Sequence, residues 1–182
     1  MKNMQSNRPD IQLLVPDAER DASFALSWFE RPECHATLLS MGNAEDEIEP
    51  STLEGEKATL REFLDLEKDN KQMTRMIVVD GKTIGAVWIE LFENHGVKPP
   101  SIHIMIGNPE YRGKGIGASV MQSAVDYVKD VLHAPAIYTR HLVSNTIVSN
   151  MNKGLGFVED GEPYADENGL TWQPIKLELS LG

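Results

Sequence analysis

Residues 105–120 read MIGNPEYRGKGIGASV, and the fold turns on how this stretch is understood. An apolar strand runs out at Gly107, a turn on Asn108 and Pro109 follows, and three glycines lead directly into a helical pattern. Gly113, Gly115 and Gly117 remove side chains where a ligand would approach the backbone closely. Free amides of such a loop and of the first helical turn, aligned with the helix dipole, favour an anion such as phosphate. Arg112 and Lys114 add positive charge beside them. The spacing is not that of a Walker loop, because G-x-x-x-x-G-K-[ST] is absent and Gly115 follows Lys114. It is not the dinucleotide fingerprint either, since G-x-G-x-G lacks the closing two-residue gap and no suitably placed acidic residue follows. On the glycines alone, a turn that holds no ligand is the competing reading.

Outward from the loop, hydrophobic periodicity sets the elements. Ile102 to Gly107 reads as a strand with His103, Met105 and Gly107 on one face and Ile102, Ile104 and Ile106 on the other. Ile116, Val120, Ala124, Val128 and Val131 mark one face of the helix that follows the loop. Ala136 to Val143 is an expected strand, Asn145 to Leu155 a short helix, and Phe157 to Glu159 a weak strand signal. The chain ends in alternation, with Ile175, Leu177, Leu179 and Leu181 opposed to Lys176, Glu178 and Ser180. Upstream, Asp80-Gly81 supplies a hairpin turn between Met76–Val79 and Ile84–Leu91. Ile11 to Val15 is a strand ended by Pro16, and Asp17 caps a helix carrying Phe24, Ala25, Trp28 and Phe29. Ser51 and Glu54 form a capping-box pattern for a second helix with Leu53, Leu60, Phe63 and Leu64. The order is β-α-α-β-β-β-α-β-α-β-β, a mixed α/β arrangement with helices over a largely antiparallel sheet.

A chain of 182 residues suits one domain spanning 1–182. With 41% hydrophobic and 25% charged residues, the balance is that of a globular protein. The net charge of -11 argues against nucleic acid, whose phosphates would be repelled. No apolar run is long enough for a membrane span or signal peptide. The one cysteine, Cys34, has no partner for an internal disulfide, which suits a cytoplasmic location. Cys34 as a nucleophile would need a His/Asn signature, and none is recognisable.

The run N-P-E-Y-R-G-K-G-I-G-A resembles motif A of the GNAT superfamily of N-acetyltransferases, written R/Q-x-x-G-x-G/A, through Arg112, Gly115 and Gly117. Asn145, Val148 and Gly156-Phe157, in the frame N-T-I-V-S-N-M-N-K-G-L-G-F, resemble the superfamily's motif B. The resemblance implies a GNAT-like acyl-CoA N-acyltransferase fold, with a splayed parallel strand pair and a cofactor-binding core over residues 102–157. It implies acetyl-CoA as co-substrate, with no metal. Backbone amides of Arg112, Gly113, Lys114, Gly115, Ile116 and Gly117 would hold its pyrophosphate. Met105 and Gly107 would pair with the pantetheine arm, and Asn145 would contact the arm from its other side.

The reaction implied is direct attack by a neutral amine, so a base must first take a proton. His103 is the favoured base, with Glu90 and His141 as weaker candidates. A tyrosine often stands seven residues after the motif B asparagine to protonate the leaving thiolate. Here that position is Asn152, which donates hydrogen bonds but is no practical acid; Tyr111 or Tyr164 would have to substitute. The acidic stretch Ala44 to Pro50 would attract a polycationic acceptor, or is a solvated loop. Trp28, Phe29 and Trp88 line an acceptor pocket or the core. The expected partner is therefore a small-molecule or peptide amine, with no nucleic acid and no membrane; a homodimer is compatible with the resemblance. A non-catalytic acyl-CoA sensor of the same fold is the alternative, and a nucleotide-binding α/β protein a third reading.

Overall fold

A computed structural model describes residues 3–180 apart from 31, 44, 46, 47 and 49, with 32–34 described through their backbone alone. The expectations placed on the Cys34 side chain, on Asp46, Glu47 and Glu49, and on Leu181 lie outside the described residues. The chain opens with β1 (Ile11–Leu14), then α1 (Ala18–Phe29), α2 (Pro32–Ser40) and α3 (Leu53–Lys68). Next come β2 (Gln72–Val79), β3 (Lys82–Glu90), β4 (Ser101–Ile106) and α4 (Ile116–Tyr127). The last part contains β5 (Ala136–Leu142), α5 (Thr146–Gly154), β6 (Val158–Glu159), β7 (Tyr164–Ala165) and β8 (Thr171–Glu178).

One mixed sheet runs β1-β2-β3-β4-β5-β8-β6, with β7 also on β8. Every neighbouring pair is antiparallel except β4 and β5. The β2–β3 hairpin closes with Val79 opposite Lys82, and Asp80 and Gly81 both take positive φ, as a two-residue turn of matching twist requires. Strand alternation sorts the core into two faces. Ile116, Val120 and Ala124 of α4, with Val128 just after it, pack onto Ile77, Val87, Ile102 and Ile137. Trp28 and Leu60, from α1 and α3, pack onto Met76, Ala86 and Met105 on the other side. The expected division of β4 therefore holds, with Met105 toward α1 and Ile102 toward α4.

Three local expectations need correction. The sequence reading passed from the first helix into a loop, whereas α2 occupies Pro32–Ser40. Its weakly amphipathic pattern hid it, although Pro32 at the first helical position is a start signal. The cap of α3 is Thr52, not Ser51: the Thr52 hydroxyl accepts from the Gly55 amide at 3.1 Å. The Ser51 hydroxyl instead donates to the Glu56 carboxylate. The last strand starts at Thr171, earlier than the alternation suggested, because Trp172 and Gln173 are buried against β5.

Gly85 lets β3 approach β4. A methyl built there would lie 2.1 Å from the Met105 carbonyl oxygen, a backbone atom with no freedom to move aside. Gly85→Ala should therefore destabilise the protein by about 1–3 kcal/mol. The measurement is the urea midpoint at unchanged m-value; a midpoint equal to wild type would show that the strands are not so tightly set.

Candidate active site

The loop between β4 and α4 is held from below. Asn108 caps a single 3-10 turn, Pro109–Tyr111, and this turn draws the Arg112 amide onto the Pro109 carbonyl at 3.1 Å. The Arg112 amide, one of those expected to be free, is thus already engaged. From Gly113 to Ala118 the backbone N–H groups meet no protein acceptor among the described residues. Gly115 caps α4 with φ 72°, a left-handed conformation that glycine adopts without strain, and no side chain covers the helix end. A Cβ added at Gly113 or Gly115 would meet nothing within 4 Å, so the bared amides face open space. The Arg112 guanidinium turns back, donating to the carbonyls of Ile106 at 2.9 Å and Gly107 at 3.3 Å. The Lys114 ammonium lies 5.2 Å from the centre of the Tyr111 ring. Both cations that the sequence placed beside the loop thus brace it.

Gly107 has a structural reason of its own: a Cβ there would lie 2.2 Å from the Trp28 indole. Beyond it, β4 and β5 part company. Their register contains one pair, Ser101 with Tyr138, and Tyr138 donates its amide to the Pro100 carbonyl at 3.0 Å. The Thr139 hydroxyl reaches the Ile102 carbonyl at 3.2 Å, and there the contact ends. The opening between the strands is a cleft of ≈ 630 Å³. Ile104 of β4, Met121 of α4, and Val148, Met151 and Asn152 of α5 line one end of it.

The two asparagines of this helix behave differently. Asn145 caps α5, accepting from the Val148 amide at 3.2 Å, and donates to the Ser40 carbonyl at 3.0 Å. It lines the cleft while joining α5 to α2. Asn152 is buried, and its Oδ1 has no hydrogen-bond partner among the described residues. A buried acceptor left unpaired costs about 1–3 kcal/mol, and the residue that carries it lines the cleft. The pattern of glycines, bared amides and an orphaned acceptor suits a long ligand with an anionic end and amide groups along its length.

At the other end lies His103, opposite Trp88 in the β3–β4 ladder and stacked on it with ring centroids 5.4 Å apart. Its Nε2 is 2.8 Å from the Ser101 hydroxyl and 3.4 Å from Glu90 Oε2. Glu90 is buried and also receives Asn94 Nδ2 at 3.2 Å and the Ser101 hydroxyl at 3.3 Å. Burial pushes this carboxyl up, but His103, Asn94 and Ser101 together outweigh it and hold the group below the ordinary glutamate value. With Nε2 hydrogen-bonded to the Ser101 hydroxyl and 3.4 Å from Glu90, Nδ1 of His103 has no partner among the described residues. Such an imidazole has one nitrogen oriented by a carboxylate and the other open to accept a proton.

Glu90 and His103 are therefore brought together, and Ser101, on the same strand face two residues before His103, is the member that sequence reasoning missed. His141 also lines the cleft, with Nδ1 3.0 Å from the Leu142 carbonyl. Trp28 belongs to the core, whereas Trp88 does line the cleft. Tyr111 packs against the main core, away from the cleft. Tyr164 lines the cleft, where its hydroxyl accepts from Arg140 Nη1 at 2.5 Å. Arg140 itself is unpredicted; no local pattern marks it, because β5, β7 and β8 must first come together.

Residues 12–158 match the family model described as "Acetyltransferase (GNAT) domain". The chain belongs to the GNAT acetyltransferases. It is an acyltransferase by that membership, and the mixed sheet with its splayed parallel pair is the family's architecture. The microcin C7 self-immunity acetyltransferase MccE, solved with acetyl-CoA and AMP, superposes with TM-score 0.78 at 15% identity over 94% of each chain. The ribosomal-protein-S5-alanine acetyltransferase of Vibrio fischeri gives TM-score 0.76 at 19% identity, covering 98% of each chain. The spermidine N-acetyltransferase of Vibrio cholerae, with CoA and spermine, gives 0.72 at 18% identity, covering 95% of this chain and 98% of that one. At these identities the likeness concerns the fold. An uncharacterised N-acetyltransferase of Archaeoglobus fulgidus is 39% identical over 54 residues, a match spanning 27% of this chain and 35% of that relative. No helix among the described residues of this GNAT chain is long and apolar enough to cross a membrane.

The lowered pKa of Glu90 carries a sign. Its contribution to stability is complete above the ordinary glutamate value of 4.5 and is lost as pH falls through the lower folded value. Stability measured by urea unfolding should therefore fall more steeply in wild type than in Glu90→Gln as pH drops below 4.5. Parallel curves would remove Glu90 as a charged partner of His103.

Proposed function

We propose that this GNAT protein transfers the acetyl group of acetyl-CoA to the primary amine of a small molecule or peptide by direct attack. One observation carries the reading: an imidazole oriented by a buried carboxylate stands in the wall of the cleft that the divergence of β4 and β5 leaves open. When bound, acetyl-CoA supplies the activated thioester. The amides from Gly113 to Ala118 would hold the diphosphate, and the side of β4 that turns away from β3, near Met105, with Gly107 just beyond the strand, would take the arm as a third strand. Asn145 meets the arm from the α5 side, and Asn152 Oδ1 gains the donor it lacks. An N–H of the same β4 edge polarises the thioester oxygen as negative charge develops there.

His103 Nδ1 takes the proton that an amine carries at neutral pH; the Ser101 hydroxyl, hydrogen-bonded to Nε2, and the charge of Glu90 beyond it stabilise the resulting imidazolium. Asn152 offers the departing sulfur a hydrogen bond and no proton; the second proton, shed by the nitrogen of the adduct as it becomes an amide, passes to the departing thiolate to give the free thiol. The spermidine and ribosomal-protein enzymes among its structural neighbours support an amine acceptor by their names. A cytoplasmic setting agrees with the lone cysteine. The second reading, a non-catalytic acyl-CoA sensor, is favoured by one feature, Asn152 at the position where a proton-donating tyrosine often stands.

Thiol release from acetyl-CoA across a panel of amines separates the two. We expect turnover with at least one amine, and a kcat about 10²-fold lower or more in His103→Ala with CoA affinity retained. Tight CoA binding without turnover of any amine would instead establish the sensor. Calorimetry should show Gly115→Val weakening CoA binding at least about tenfold, roughly 1.4 kcal/mol, since a branched side chain would crowd the bared amides and strain the positive φ. Unchanged affinity would refute the placement of the diphosphate.

A further inference from the structure

We infer that Arg140 anchors an anionic group of the acceptor, so that the amine acetylated carries a carboxylate or a phosphate. The inference rests on the transfer reading above. Arg140 lines the same cleft as His103, on the neighbouring strand. Its guanidinium carbon is 4.1 Å from the centre of the Trp172 ring, and Nη1 donates to the Tyr164 hydroxyl. Trp172 is in turn fixed. Its Nε1–H donates to Asp166 Oδ2 at 2.8 Å, and the ring edge occupies the space that a Cβ at Gly42 would need, 2.3 Å away. The arginine is thus stacked, pinned and aimed before any ligand arrives, and little side-chain freedom is left to lose on binding.

What it lacks is a carboxylate. In a chain with 28 acidic and 17 basic residues, Arg8, Arg20 and Arg75 all hold one directly. Arg140 makes no ion pair among the described residues, and its remaining N–H donors meet no protein acceptor. Asp166 is near enough for its charge to be felt. Its oxygens, however, are committed to Trp172 and to the amides of Asn168 and Leu170, and the hydrogen bond from Trp172 is the main reason its carboxyl is held low. Glu90, across the cleft, is engaged by His103, Ser101 and Asn94; Glu167 on the rim is the other acidic group facing the opening among the described residues. An arginine fork with free donors facing the cleft is complementary to a planar carboxylate or a phosphate. A polycation would instead set an ammonium against this fixed positive charge. The cleft therefore reads as zwitterionic, with the proton acceptor His103 in one wall and the anion anchor Arg140 in the other.

Matched acceptors test this: an α-amino acid against its carboxamide, O-phosphoethanolamine against ethanolamine, and spermidine as a polycation. The anionic member of at least one pair should have the higher kcat/KM by tenfold or more. That ratio should collapse toward one in Arg140→Gln and fall part-way in Tyr164→Phe, an exposed position whose change leaves the core intact. Arg140→Lys, which keeps the charge and loses the fork, should raise KM for the anionic acceptor more than it lowers kcat. Ratios near one in wild type, a ratio untouched by Arg140→Gln, or spermidine as the best acceptor would overturn the proposal. Calorimetry on the CoA-loaded protein decides the matter without turnover. If phosphoethanolamine and the amino acid bind in an Arg140-dependent way while no amine is acetylated, the anion site stands and the transfer reading falls. If neither binds more tightly than its neutral partner, the anion site falls, whatever the enzyme acetylates.

Discussion

The site depends on two neighbouring strands that stop pairing. After Ser101 meets Tyr138, the β4–β5 ladder ends, although both strands continue. The gap cannot close, because each strand is bound along its length on the other side, β4 to β3 and β5 to β8. Backbone groups facing the gap are strong donors and acceptors that need partners, and a ligand with amides of its own can supply them. Arg112 secures the geometry by tying the loop to the carbonyls at the end of β4. The bared amides of the α4 N-terminus are thereby held at a fixed offset from the open strand edge.

Charge is arranged around this opening with care for desolvation. A buried carboxylate such as Glu90 would be costly alone, and three donors offset that cost. The same bonds orient His103, whose stacking on Trp88 sets the plane of the ring. Arg140 is treated in the opposite way: its plane is set by Trp172 and its position by Tyr164, while no carboxylate among the described residues forms an ion pair with it. Two aromatic rings thus orient the two polar groups with which an acceptor would have to deal.

Asn152 joins the fold to the chemistry from the other side. Its unpaired Oδ1 is buried at a helix face whose neighbours Val148 and Met151 are apolar, and nothing in the described protein satisfies it. Native structures tolerate such an atom where a ligand completes it. On the proposed function, Asn152 would offer hydrogen bonding in place of proton donation, and the proton chemistry would fall to His103 and Glu90.

Much of this was already present in the chain as text. The glycines at 113, 115 and 117 marked a loop bare of side chains before a helix, Asp80-Gly81 demanded a tight hairpin, and the alternation from Ile102 to Gly107 separated His103 from the isoleucines, since these are local steric and periodic constraints. Motif residues Arg112 and Asn145 were likewise visible, but not their use, because a side chain's partner is not written in its spacing. That Arg112 bends back to the strand, that Glu90 meets His103 across a ladder, and that Arg140 from β5 finds Tyr164 and Trp172 from β7 and β8 were decided only by tertiary structure. Local sequence sets dihedral preferences and which face a residue occupies; which faces then meet is settled when distant strands pair and their side chains compete for the same space.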